Sequence, residues 1–370
     1  MQFIQANRDA ILRPLQVVAG IVDKRHTLPI LANILIRKTA ESVNFLASDG
    51  EIQISTQAEL GAGPDHGGTT VSARKLIDIL RALPDSVDVT VKLDDRKASI
   101  QAGRSRFTLQ TLSVEDFPIA KDAQTWSASF AMPQKQLRQL LQMVHFAMAQ
   151  QDVRYYLNGL LMVTEGSTVR VVATDSHRLA YCETQLENTH LPHHEVIIPR
   201  KTVIELQRLL GDAEDAVTAD MATNQLRLRF GDVELLTKLV EGKFPDYQRV
   251  IPKTHNRRLV VARDTLASAL SRASILTTDK FRGVRLALSV EEGLRIHSNN
   301  AEQEEAHEEV EVNYQGDPLE IGFNVGYLQD VLSTLKTDSV QIDFGDANMS
   351  ALVTVPGDDQ FKYVVMPMRI

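Results

Sequence analysis

The sequence predicts an α+β protein built of three similar repeats, each with two helices on one face of antiparallel sheet. Two families of internal repeat and a run of short alternating strands carry that reading. The segments TVSARKLIDILRALP, IIPRKTVIELQRLLG and IGFNVGYLQDVLSTL share one helical spacing of apolar residues. Leu76, Val203 and Leu328 hold the same place in it, 127 and 125 residues apart. A second triplet starts near Asn7, Pro133 and Ala262, each a polar opening followed by a helical period, a polar bend and a strand-like run. Between the helices, segments such as DVTVKL, KASIQAG, STVRVVATD, QLRLRF, EEVEVNY and SVQIDF alternate β-branched with polar residues, the mark of sheets with one wet face.

Taken in order, helices are expected over 7–22, 73–83, 134–149, 200–210, 263–274 and 324–336, with Pro133 in the first turn of the third, where its missing N–H is harmless. Each third reads as strand, helix, several strands, and then the same again. The apolar periodicity lapses at KDAQTWS (122–128) and IPKTHNRR (251–258), which places the repeats at 1–124, 125–254 and 255–370. The first two repeats close alike, on RFTLQTLSVEDFPI and VELLTKLVEGKFPDY. The chain ends on QFKYVVMPMRI, so Lys362 to Val365 form the closing strand of the third repeat and Met366 to Ile370 overshoot it.

With 43% hydrophobic and 24% charged residues, the 370-residue chain has a globular composition, and its net charge of −8 argues against a polycationic nucleic-acid binder. The single cysteine, Cys182, rules out an intramolecular disulfide and reads as a packing residue. No apolar run is long enough to cross a membrane, and MQFIQANRDAILRPL lacks the features of a signal peptide, so a cytoplasmic location is expected. Charge is unevenly placed. The six helical segments carry +1, +2, +2, +2, +1 and 0, a net +8 that leaves −16 for the rest of the chain. Helices facing one way would offer a mildly positive surface to a phosphate backbone, through Arg74, Lys75, Arg81, Lys135, Arg138, Arg200 and Lys201. Tyr155 and Tyr156, beside Gln151 and Arg154, could add stacking. The same charges also suit ordinary solvated helices.

Catalytic signatures are missing: the chain has no Walker A lysine motif, no GxGxxG and no HExxH. In TDSHR, Asp175, Ser176 and His177 are adjacent on an expected strand and point to alternate faces, which is not a charge-relay geometry. His193 and His194 fall in an expected polar linker, and the acidic run EQEEAHEEV (302–310) reads as a solvated strand edge rather than a cation site. No cofactor or metal is called for.

Seven stretches, HTLPILANILI, QDVRYYLNGL, VVATDSHRLA, GKFPDYQRV, FRGVRL, NNAEQEEA and YVVMPMRI, closely resemble the bacterial DNA polymerase III beta subunits, the replicative sliding clamps, in order from one end of the chain to the other. The resemblance implies a head-to-tail homodimer in which six clamp domains close a ring, with twelve helices around duplex DNA. It implies a non-catalytic processivity factor, opened by an ATP-driven loader. DNA contacts are implied at Arg25, Gln151, Tyr155 and Tyr156, with Arg74 and Lys201 as helpers. It further implies a cleft that binds short peptides of polymerases, the loader, mismatch-repair and ligation proteins and initiation regulators. The matching cleft residues are Leu157, Thr174, His177, Arg178, Leu179, Pro245, Arg249, Val250, Phe281, Asn324, Tyr327, Ser350, Val364, Met366, Pro367, Met368 and Arg369. The chain departs from the family pattern at Ser176, where glycine is usual, at Ile370, where leucine is commoner, and at His26, where proline is often seen.

Overall fold

Leu76, Val203 and Leu328, the three positions aligned by the repeat, are 4%, 0% and 3% exposed, so the shared pattern marks one buried position used three times. The computed structural model describes residues 2–22, 28–39, 42–60, 67–94, 96–187, 189–278 and 281–369. Arg25, His26 and Ile370 lie outside the described residues.

The first repeat contains β1 (Gln2–Asn7), α1 (Arg8–Val18), β2 (Asn33–Lys38), β3 (Val43–Ser48), β4 (Ile52–Ala58), β5 (Gly67–Ser72), α2 (Ala73–Ala82), β6 (Asp88–Asp94), β7 (Lys97–Ala102) and β8 (Ser105–Leu112). The second contains β9 (Ala128–Pro133), α3 (Gln134–Val144), β10 (Gly159–Gly166), β11 (Thr168–Thr174), β12 (Arg178–Gln185), β13 (Leu191–Pro199), α4 (Arg200–Leu209), β14 (Ala216–Met221), β15 (Gln225–Phe230) and β16 (Val233–Lys238). The third contains β17 (Arg257–Ala262), α5 (Arg263–Ala273), β18 (Gly283–Ser289), β19 (Gly293–Asn299), β20 (Glu305–Val310), β21 (Leu319–Asn324), α6 (Val325–Thr334), β22 (Ser339–Phe344), β23 (Ala351–Val355) and β24 (Asp358–Val365).

Each repeat is thus a strand, a helix and three strands, performed twice. The strand leading into each helix pairs with the three-stranded meander of the other half: β1 with β6, β5 with β2, β9 with β14, β13 with β10, β17 with β22 and β21 with β18. This exchange ties the halves together by backbone hydrogen bonds. Neither half can leave without breaking a ladder.

Two compact units result, residues 1–137 with 204–239, and residues 138–203 with 240–370, so the division falls inside α3 and α4. The first unit holds a twelve-stranded sheet in which β4 of the first repeat pairs antiparallel with β16 of the second. The second holds an eight-stranded sheet, in which β12 pairs with β24, and a four-stranded sheet in the order β20-β19-β18-β21. Helices bury one face. Ile11, Leu12, Leu15 and Val18 of α1, and Leu266, Ala269, Leu270 and Ala273 of α5, recur at three- and four-residue steps. Asn7 and Asn324 cap α1 and α6, their side chains accepting from the amides of Asp9 and Gly326.

Four sequence expectations change. Pro133 ends β9 rather than opening α3, and β9 is an edge strand, where a missing donor breaks no second ladder. His193 and His194 lie on β13, not in a linker. Asp175, Ser176 and His177 form the turn between β11 and β12, because Asp175 Oδ1 accepts from the amides of His177 and Arg178 and pulls the chain round. The strand expected at EEVEVNY lies earlier, at Glu305–Val310, so the acidic run from Glu305 onward is itself β20.

Candidate partner and nucleic-acid surfaces

The chain's closing segment is held at two points beyond its strand. Val364 and Val365 end β24, fully buried, and pair with Leu179 and Arg178 of β12. Past them, the Met366 amide donates to the His177 carbonyl at 2.9 Å and the Met368 amide to the Gly322 carbonyl at 2.7 Å. The backbone is fixed while the side chains of Met366, Met368 and Arg369 face solvent.

Beneath this segment lies a cluster of Leu161, Val163, Val172, Leu179, Tyr181, Ile197, Phe244, Tyr247 and Val364, with Tyr156, Val250 and Leu352 half-buried against it. Four of the sequence candidates, Leu179, Val250, Val364 and Tyr156, meet here. The GKFPDYQRV stretch forms one side: Phe244 and Tyr247 are buried while Pro245 and Arg249 are exposed, Arg249 paired with Asp246 at 2.9 Å. The Tyr181 and Tyr247 rings lie 6.0 Å apart. Exposed methionines and proline bordering a buried aromatic and aliphatic cluster make an adaptable apolar patch, of the kind that receives a peptide.

Arg178 organises the turn next to that patch. Its guanidinium donates to Asp175 at 3.0 Å, to Asp330 at 2.5 Å and to the Phe146 carbonyl at 2.7 Å, and lies 4.4 Å from the centroid of the Tyr327 ring. His177, exposed, stacks on the same ring at 6.5 Å, and the Tyr327 carbonyl accepts from the Tyr363 hydroxyl at 2.9 Å. Thr174 Oγ1 donates to the Arg178 carbonyl at 2.6 Å. Arg178 and Thr174 therefore shape the turn, while His177 and Arg249 are exposed. Asn324 caps α6, Leu157 is buried, the Ser350 carbonyl faces His255 Nε2 at 2.8 Å, and Phe281 stands 70% exposed in an isolated bridge to Thr278.

Sequence reasoning missed Phe146, Asp330, Tyr181 and Tyr247. The last lay inside a quoted motif, and its three-residue spacing from Phe244 was the available signal. Asp330 and Phe146 carried none, since their link to Arg178 spans 152 and 32 residues.

The nucleic-acid candidates fall in both units. In the first, Arg74 is 71% exposed and within 3.6 Å of Asp78, Lys75 and Arg81 are exposed, and Lys135 lies 3.4 Å from Glu214. In the second, residues 149–158 form a loop closed by Asn158, which accepts from the Asp152 amide and donates to its carbonyl. Gln151 adopts a left-handed φ of 56°. Tyr155 is exposed with its ring 6.0 Å from that of Tyr156. Arg154 binds Asp152 through two nitrogens and holds that carboxyl down at about 2, its positive charge already engaged. Half-buried Arg200 donates to the Met148 carbonyl at 3.2 Å and braces the loop's start, whereas Lys201 faces solvent and Arg138 is half-buried.

Comparison with known proteins accounts for this arrangement along the whole chain. The N-terminal, central and C-terminal domain families of the DNA polymerase III beta subunit match residues 1–121, 131–246 and 248–369. The beta sliding clamp of Proteus mirabilis is 46% identical over 371 residues, and that of Escherichia coli K12 43% over 363, covering 100% and 98% of both chains. Among solved structures, the Pseudomonas aeruginosa sliding clamp with ligand, and the same clamp bound to griselimycin, each superpose with a TM-score of 0.96 at 44% identity over 100% of both chains. Three matched domains in order, over nearly every residue, place this chain in the family of bacterial DNA polymerase III beta subunits, the beta sliding clamps.

Proposed function

We infer that the chain is the processivity factor of a replicative DNA polymerase, a ring of two copies that encircles duplex DNA and tethers partners. Beyond family membership, one observation carries this: the seams between repeats follow a rule that a single chain cannot complete. The fourth strand of one repeat pairs with the last strand of a neighbour, β4 with β16 and β12 with β24. By that rule β20 seeks a last strand, and β8 seeks a fourth one. Among the described residues β20 pairs only with β19, and β8 gives β5 only Thr111 and Leu112. Two copies head to tail satisfy both edges twice. Ile275, 75% exposed on the turn after α5, is an apolar residue suited to burial in such a joint.

We place the repeats at 1–124, 125–254 and 255–370, supported by the irregular stretches near 122–127 and 251–256. DNA contact is assigned to Gln151, Tyr155, Tyr156, Arg74, Lys75 and Lys201, with Arg25 carried by resemblance and Arg200 as a loop brace. The partner cleft is assigned to the Val364 cluster, its tail and the rim residues His177, Pro245, Arg249, Phe281, Asn324, Tyr327 and Ser350. Its partners include the loader, the polymerase III alpha subunit and other polymerases, and mismatch-repair, ligase and initiation-regulatory proteins, competing for one patch in the cytoplasm. The subunit is non-catalytic, acts without cofactor and relies on topology.

The test is loading by a matching loader and ATP onto nicked circular DNA. The protein should stay bound through gel filtration, run as a species of about 82 kDa, twice the 41.2 kDa chain, when free, and fall off once the circle is cut. Retention on linear DNA equal to that on circles would overturn the ring.

A further inference from the structure

The four-stranded sheet carries a donor set with no part in tethering. His297 of β19 and His307 of β20 stand directly opposite each other in the antiparallel register, with ring centroids 4.4 Å apart. Glu305 precedes His307 by two residues and so shares its face of β20. Its Oε2 lies 3.3 Å from His307 Nε2 and 3.9 Å from His297 Nε2, and the three ligand atoms are all within 4.8 Å of one another. Bonds of ~2.0 Å to a tetrahedral ion separate ligand atoms by roughly 3.3 Å, so rotation about side-chain torsions closes the set.

We propose that His297, Glu305 and His307 bind a divalent transition-metal ion of the Zn2+ class, with the fourth position open to water. Two imidazoles and one carboxylate favour such an ion over Mg2+ or Ca2+, which seek all-oxygen sites. Strand pairing already holds the two imidazoles together, so little chain ordering accompanies binding. The neighbourhood is negative: Glu302, Glu304 and Glu309 flank the site, while Glu308 is engaged by Arg272 at 2.5 Å, Arg285, opposite His297 on β18, by Glu320 at 3.0 Å, and Arg295, two residues before His297, by Glu292 at 2.6 Å. The ion would clip β19 to β20, the strand that a second copy would join.

The test titrates ZnCl2 into the full-length, chelator-stripped protein by calorimetry, with CoCl2 as an optical probe. One Zn2+ per chain is expected, with Co2+ giving the intense visible bands of low coordination. H297A and H307A should each weaken binding more than about tenfold, the least that loss of even a supporting partner does to a metal site. Zn2+ should raise the melting temperature of the parent and leave that of the double variant unmoved. The control is H193A, whose imidazole also lies near two carboxylates, Glu165 and Glu195, but without a second histidine; it should bind as the parent does. Both ligating histidines are solvent-accessible, and circular dichroism verifies that the variants fold. Absence of saturable binding, or equal binding by the double variant, would overturn the site.

Discussion

At the scale of single residues, Ser176 stands where the family usually has glycine, and its φ of 77° explains the preference. A β-carbon in left-handed backbone clashes with the following carbonyl, so Ser176→Gly should stabilise the protein by about 1 kcal/mol in urea denaturation. A two-residue neighbour acts in the opposite sense. Arg178 has a side chain only 10% exposed and answers two carboxylates and a carbonyl. Arg178→Ala leaves Asp175 and Asp330 without their cation and should lose about 3 kcal/mol, measured by the same denaturation. Cys182, buried on β12, has its thiol pushed up to about 12, first by desolvation and then by Asp358 and Glu183. It should therefore resist a disulfide reagent at neutral pH until the protein is unfolded, when one thiol per chain reacts.

Elements make their own predictions. The tail was legible as a strand followed by an overshoot, and β24 does end at Val365. Truncation should spare Val365, which is fully buried and pairs with Arg178 and Ala351. Deleting Met366 to Ile370 should abolish binding of a polymerase-derived peptide by fluorescence anisotropy, while the dimer persists. The two lost backbone hydrogen bonds are worth about 1 kcal/mol each, too little to unfold the subunit. The turn after α3 holds His145, whose pKa is lowered mainly by burial, with Arg200 adding to the effect. The unfolded chain therefore takes up a proton that the native one refuses as pH falls below about 6.5. Stability is complete above that pH and declines as acidity rises. Between about pH 7.5 and pH 5.5 the denaturation midpoint should drop, and His145→Gln should flatten the drop.

For the whole molecule, the expected DNA interaction is electrostatic and modest. Arg74→Glu with Lys201→Glu should weaken binding to open duplex and shallow its salt dependence, without changing the subunit mass, since both residues are exposed on helices. The repeat order, all six helices and the absence of a catalytic signature were readable from the chain, because apolar periodicity reports a helix face wherever one side is buried. Leu76, Val203 and Leu328 show how well that works. What periodicity could not supply was partnership. The exchange of β1 with β6 and of β5 with β2 links segments some eighty and thirty residues apart, and nothing local in either strand names its neighbour. The same holds for Arg178, whose motif was recognised while its partners Asp330 and Phe146 were not. It holds also for His297 and His307, which lie on separate strands and become a pair only through register. Local side-chain spacing therefore determined the elements and the threefold repeat, and seven short motifs pointed to the family. Strand pairing, which depends on long-range backbone hydrogen bonds, alone decided the seams between repeats, the edges left for a second copy and the side chains that meet at each site.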